Sequence, residues 1–270
     1  METSAARAWL GRARRLIAAA VVTALIAACS LTPSAGPLAE GAAWQKTCPR
    51  EKLSTFVSFD ISKSAVPQPF GAGQDQYAVL YDAIARTAIC SGHLHVSAFA
   101  ETSADPVQLF DAELSLPGST DNARYRRLED LTSEIQHEVA DAYNAAVSQG
   151  GRSGSDIVGQ LRRAREYADQ LGPDTHLAVV LVTDGLQWVA SQKFVIRTPE
   201  DAVAYADSVA LPKIKGELLF TGLGDRIDGK LVSTATVENL KAIYTRICER
   251  TGAEPCLAVT DYTSPVGSGS

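Results

Sequence analysis

Nothing in this 270-residue chain repeats, and between residues 46 and 262 no block is of low complexity, which excludes solenoid and array architectures. No apolar run is long enough to span a bilayer comfortably. No C-x2-C pair occurs, and the four histidines (His93, His95, His137, His176) lie far in sequence from the cysteines, so the common zinc patterns are missing. There is no G-x-S-x-G turn and no histidine placed after a neighbouring strand to act as a base, which speaks against a serine hydrolase. Positive charge is scarce too. Beyond the first 28 residues, 21 basic face 30 acidic side chains, a formal net of -9, so nucleic acid is not the expected main partner.

What is present is an ordinary globular composition, 46% apolar and 21% charged, enough for one large domain or two small ones. A basic stretch, Arg7 to Arg15, precedes an apolar run, Leu16 to Ala28, the order and length of an exported signal. The run closes on Ile26-Ala27-Ala28-Cys29 and resembles a bacterial lipoprotein signal, in which cleavage exposes a cysteine that then receives acyl chains such as palmitate. The resemblance implies a protein anchored through Cys29 on the extracytoplasmic side of a cell membrane. Each buried methylene contributes roughly 0.8 kcal/mol, so two or more chains hold where one is marginal. Residues 29–46, rich in Ala, Pro, Gly and Ser, read as a flexible tether, 47–262 as the folded part and 263–270 as a disordered tail. Four cysteines then remain, Cys48, Cys90, Cys248 and Cys256. An even number in an exported protein predicts two disulfides, with three possible pairings between which the spacing does not choose.

From Leu53 onward short apolar runs alternate with amphipathic patterns, the sign of an α/β domain with a doubly wound, mostly parallel sheet and helices on both faces. Strands are expected at Ser54 to Asp60, Leu94 to Ala100, Leu177 to Thr183, Glu217 to Thr221 and Cys256 to Thr260. Leu109 to Leu116 alternates apolar and polar residues, which predicts a half-exposed or edge strand, the one antiparallel member. Helices are expected near Gln74 to Cys90, Asn122 to Ser148, Ser155 to Leu171, Pro199 to Ala210 and Thr236 to Glu249.

In open α/β sheets ligands gather beyond the carboxyl ends of the strands. Two strand ends carry chemistry there: Asp60-Ile61-Ser62-Lys63-Ser64, a D-x-S-x-S motif, and Thr183-Asp184-Gly185. A third polar point, Ser155, follows the glycine-rich turn Gly150 to Gly154. Together these residues resemble the metal-ion-dependent adhesion site of the von Willebrand factor A family, over roughly Leu53 to Thr260. The resemblance implies a binding protein, not an enzyme, that holds Mg2+ or Mn2+. Ser62 and Ser64 would coordinate directly, Ser155 would stand where the family usually has threonine, and Asp60 and Asp184 would accept hydrogen bonds from bound water. Two carboxylates and three hydroxyls suit a small hard cation that keeps several waters. Such an ion stays under-neutralised and attracts an outside carboxylate, so the implied partner is a protein offering an Asp or Glu. This sequence departs from the family at Ser155, which lacks the β-branch that restricts χ1 and has Ser153 as a neighbour, and at Lys63, where glycine is common. If the family fold is assumed, Cys48 pairs with Cys90 and Cys248 with Cys256. Alternatives are an assembly lipoprotein with a degenerate site, or a metal-dependent hydrolase.

Weaker signals complete the reading. His93 and His95 share one face of a strand without an evident third ligand. Gly222-Leu223-Gly224-Asp225 is a fragment of a phosphate loop that its neighbours do not continue. Trp188, Phe194 and Val195 follow Asp184 closely enough to border the site.

Overall fold

Strand β1, Lys52–Asp60, is buried along its length after the first residue, because a central parallel strand is covered on both faces. β2 (His93–Phe99) and β4 (Thr175–Val182) pair with it in parallel on either side. β3 (Val107–Glu113) pairs antiparallel with β2 at one edge, with a register shift between Val96 and Ser97. β5 (Gly216–Thr221) and β6 (Cys256–Ala258) complete the order β3-β2-β1-β4-β5-β6. The alternating run at 109–116 is therefore the antiparallel edge its pattern predicts. The structure is a computed structural model and describes residues 36–65, 69–71, 76–100, 106–149, 154–186, 198–225 and 232–266.

Side chains alternate across the sheet and build a core on each face. Val57 and Phe59 pack with Leu80, Ile84, Val139 and Tyr143, from helices α2 (Gln76–Ile89) and α4 (Leu128–Ser148). Phe56, Val179 and Leu181 pack with Ile157, Leu161, Ala206, Ile243 and Ile247, from α5 (Ile157–Leu171), α6 (Pro199–Ser208) and α7 (Thr234–Thr251). Helix starts follow local chemistry. Thr198 and Ser233 accept hydrogen bonds from the amides of Asp201 and Thr236 at 3.2 Å, and Asp156 accepts one from Gly159 at 2.9 Å, each satisfying an orphan donor of the first turn. Among the described residues no helix is long and apolar enough to cross a membrane.

Three expectations are corrected. Part of the stretch read as tether forms helix α1, Pro37–Gln45, and packs through Trp44, which is 2% exposed. Gly41 makes this possible, since a Cβ there would lie 2.3 Å from the Tyr125 ring. One large aromatic thus outweighs a composition suited to a linker. The long helix expected from Asn122 is two, α3 (Asp121–Tyr125) and α4, divided at Arg126 and Arg127. The break leaves Tyr125 buried against α1. The tail expected from residue 263 is anchored at one point, for Val266 packs on the core, as Tyr262 does just before the tail.

The disulfides join Cys48 to Cys90, with a Cα–Cα distance of 5.3 Å, and Cys248 to Cys256, at 5.6 Å. Cys48 precedes β1, Cys90 follows α2, and Cys256 opens β6, so both bridges lie toward the amino ends of the parallel strands. β5 begins at Gly216 with φ +142°, where a Cβ would stand 2.1 Å from the Leu177 carbonyl oxygen.

Candidate functional site

The strand order reverses between β1 and β4, since the chain proceeds from β1 to β2 on one side and from β4 to β5 on the other. Adjacent crossovers depart to opposite faces at such a point and leave a crevice beyond the strand ends. Asp60 is the last residue of β1, and Thr183, Asp184 and Gly185 follow β4 directly. The loop after β1 is held to β2 by the Ile61 amide donating to the Phe99 carbonyl at 2.8 Å. The segment before α5 is held there too, by the Asp156 amide donating to the Ala100 carbonyl at 2.9 Å. β2 thereby fixes Ser155 over the end of β1.

These supports converge on one carboxylate. Asp60 Oδ1 accepts from the Ser62 amide at 2.9 Å and from Ser155 Oγ at 3.1 Å, and Oδ2 accepts from Thr183 Oγ1 at 2.7 Å. Ser62 Oγ and Ser64 Oγ are 3.4 Å apart. Asp184 Oδ1 accepts from the Leu186 amide at 2.9 Å. Asp60, Ser62, Ser155 and Asp184 are all at most 2% exposed, whereas Ser64 is half-buried and Lys63 exposed. The five residues singled out in the sequence therefore stand at one strand-end crevice.

Burial pushes the Asp60 carboxyl up to about 6, and the negative charge of Asp184 adds to this against the hydrogen bonds from Thr183, Ser62 and Ser155. Desolvation and a neighbouring like charge both disfavour the ionised form. A cation between two such carboxylates would offset both effects, and the residues fit a divalent ion in that two buried acids stand here among the hydroxyls of Ser62, Ser155 and Thr183. The set offers hydroxyl oxygens with only two carboxylates, which matches the ligand preference of Mg2+. Among the described residues no three His, Cys, Asp or Glu side chains are arranged to hold a metal, so any ion here would depend on the serines.

Thr183 stands in the sequence only as the residue before Asp184-Gly185, and the structure gives it a role at the site. It is the final residue before Asp184-Gly185, two positions after Leu181 and so on the same face, and that alternation was its only signal. Its hydroxyl also accepts from the Gly185 amide at 3.1 Å. Gly185 has φ +80°, and a Cβ would approach Leu223 to 2.8 Å. The Gly222–Asp225 loop is thereby placed beside the site, with the Gly224 amide donating to the Asp184 carbonyl at 2.8 Å. It braces the second carboxylate. Beneath Asp60, Ser58 Oγ lies 3.0 Å from Ser97 Oγ and 3.4 Å from Gln160 Oε1, a polar layer on the same face of β1.

The other candidates fall elsewhere. His93 Nδ1 lies 2.5 Å from the Tyr167 hydroxyl and 3.4 Å from Asp111 Oδ1. His95 stacks on Phe56 at 5.0 Å. The pair joins α5 to the edge strand. Cys29, Ser153, Trp188, Phe194 and Val195 lie outside the described residues. No protein-family model matches this chain, and no curated protein matches it in sequence.

Proposed function

We propose that this is a membrane-tethered extracytoplasmic binding protein of the von Willebrand factor A type, which recognises a partner protein's Asp or Glu through Mg2+ or Mn2+. The observation that carries the reading is the buried Asp60 carboxylate, ringed by Ser62, Ser155 and Thr183 beside Asp184 at the β1–β4 switch point. In this reading Ser62, Ser64 and Ser155 supply neutral oxygens while Asp60 and Asp184 balance the charge and orient bound water. The ion supplies Lewis acidity toward an incoming carboxylate. Acyl chains on Cys29 hold the protein at the membrane. A binding role is favoured over hydrolysis because the histidines lie elsewhere: His137 meets the Ser133 carbonyl, His176 meets Glu217, His93 meets Tyr167, and His95 stacks on Phe56. None is paired with a serine of the site.

The degenerate-site alternative draws on one fact, that protein donors already reach both oxygens of Asp60. Calorimetric titration of the protein with Mg2+ and with Mn2+ separates the two. The proposal expects saturable 1:1 binding, weakened at least about tenfold in Asp60→Asn and in Ser62→Ala, a range typical of lost ligands and their supports. Absence of metal binding by the parent protein overturns it in favour of the degenerate site.

A further inference from the structure

The turn that carries Ser62 and Ser64 also carries a cation. The Ala65 amide donates to the Ser62 carbonyl at 3.0 Å, which closes a four-residue turn with Lys63 and Ser64 at its two central positions. The hydroxyls on either side of Lys63 lie 3.4 Å apart. Ser62 is buried and Ser64 half-buried, whereas Lys63 is exposed, and its ammonium makes no ion pair among the described residues. An extended lysine reaches about 6 Å from its Cα, which stands about 3.8 Å from the Cα of each serine. The ammonium can therefore meet whatever binds outside those two hydroxyls.

Charge decides what that ligand is. On the metal reading proposed above, on which this inference rests, Asp60 and Asp184 together balance the charge of a divalent ion. A further carboxylate, although drawn to the ion, would leave one negative charge over. The folded part around it is already acidic, with a formal net of -9 beyond the first 28 residues. Lys63 adds one positive charge, which a single incoming carboxylate balances. A carboxylate has two oxygens, so one can bind the ion while the other accepts from an ammonium. We infer that Lys63 is a specificity-determining residue of this site: the partner's Asp or Glu bridges the ion and the Lys63 ammonium, and neutral oxygen ligands are passed over because they gain nothing from that charge. On the ion itself the same lysine acts in the opposite sense, because two cations repel. Lys63 thus trades metal affinity for carboxylate affinity.

Mn2+ and a capped aspartate, which presents the partner's side chain alone, test the assignment in the full chain. Electron spin resonance of Mn2+ reads the metal affinity, and the fall in water-proton relaxation as the carboxylate displaces bound water reads the aspartate affinity, both at fixed ionic strength. In Lys63→Gln, at an exposed position and so expected to fold, Mn2+ should bind about twofold tighter. The aspartate should bind about fivefold more weakly, the upper range for an exposed charge pair. Lys63→Glu should move both affinities further in the same directions, and Lys63→Arg should keep both within about twofold of the parent. A capped asparagine should bind the parent and Lys63→Gln alike. If the parent binds Mn2+ but Lys63→Gln leaves the aspartate affinity unchanged, lowers both affinities together, or weakens asparagine as much as aspartate, the role of Lys63 is overturned and the metal reading stands. Absence of Mn2+ binding by the parent overturns the metal reading and this inference with it.

Discussion

Asp60 concentrates the electrostatics of the candidate site in one side chain. Its carboxyl is pushed up to about 6, first by burial and then by Asp184, so the metal-free protein holds a proton there that an unfolded chain would release near 3.8. The sign follows: this group favours the folded metal-free state below about pH 3.8, and the contribution is lost as pH rises through about 6. A divalent ion needs the ionised form, so metal affinity should fall as pH drops below about 6, with close to one proton released per ion bound at about pH 5 and almost none at about pH 7.5. Titration heats in buffers of different ionisation enthalpy measure the release directly. Equal proton release at both pH values would remove Asp60 from the ion's surroundings. At this scale the sequence was informative about type and position. D-x-S-x-S and Asp-Gly at strand ends are short-range facts, visible without coordinates. Thr183 was not, because its part depends on a hydroxyl meeting a carboxylate 123 positions away.

Among elements, the disulfides divide their work according to the loops they close. The Cys48–Cys90 bridge spans 42 positions and fastens the entry to β1 to the end of α2, while Cys248–Cys256 spans 8 and ties α7 to β6. In the loop-entropy model the first contributes about 4 kcal/mol and the second about 2.5 kcal/mol. Denaturant unfolding of Cys48→Ala/Cys90→Ala should therefore show the larger loss, and Cys248→Ala/Cys256→Ala the smaller. The reverse order would mean that strain or residual unfolded structure outweighs loop length. Strands were legible at this scale to within three residues, since continuous burial and alternation write themselves into apolar periodicity. Helix α1 was not, for its only strong signal is a single tryptophan in a small-residue stretch. The break between α3 and α4 was hidden as well, because nothing at Arg126 and Arg127 forbids a helix.

Across the whole molecule a partly buried ion pair joins the two halves of the sheet. Arg86 on α2 reaches Glu217 on β5, and His176 on β4 meets the same carboxylate at 3.1 Å. Burial alone would raise the Glu217 carboxyl, but hydrogen bonds from His176 and Arg86 outweigh it and hold the group down at about 2. A depressed carboxyl contributes stability above its ordinary value of 4.5 and loses it as pH falls from there toward about 2. Glu217→Gln should lower stability at neutral pH, because the half-buried Arg86 loses its partner. It should also flatten the decline between those two pH values, which thermal melting across an acid series would record. An unchanged acid limb would show that the carboxylate titrates normally.

By itself the sequence determined an α/β sheet with one antiparallel edge, because strand burial and helix amphipathicity are periodicities of neighbouring residues. It also marked which strand ends carry acids and hydroxyls. Only the tertiary structure decided that Ser155 and Thr183 donate to opposite oxygens of Asp60, that a tether-like stretch folds back on Trp44, and that Arg86 meets Glu217 131 positions away. Those contacts are set by how strands stack and which face each crossover takes. No local pattern records such distances, so they emerge only when the chain closes on itself.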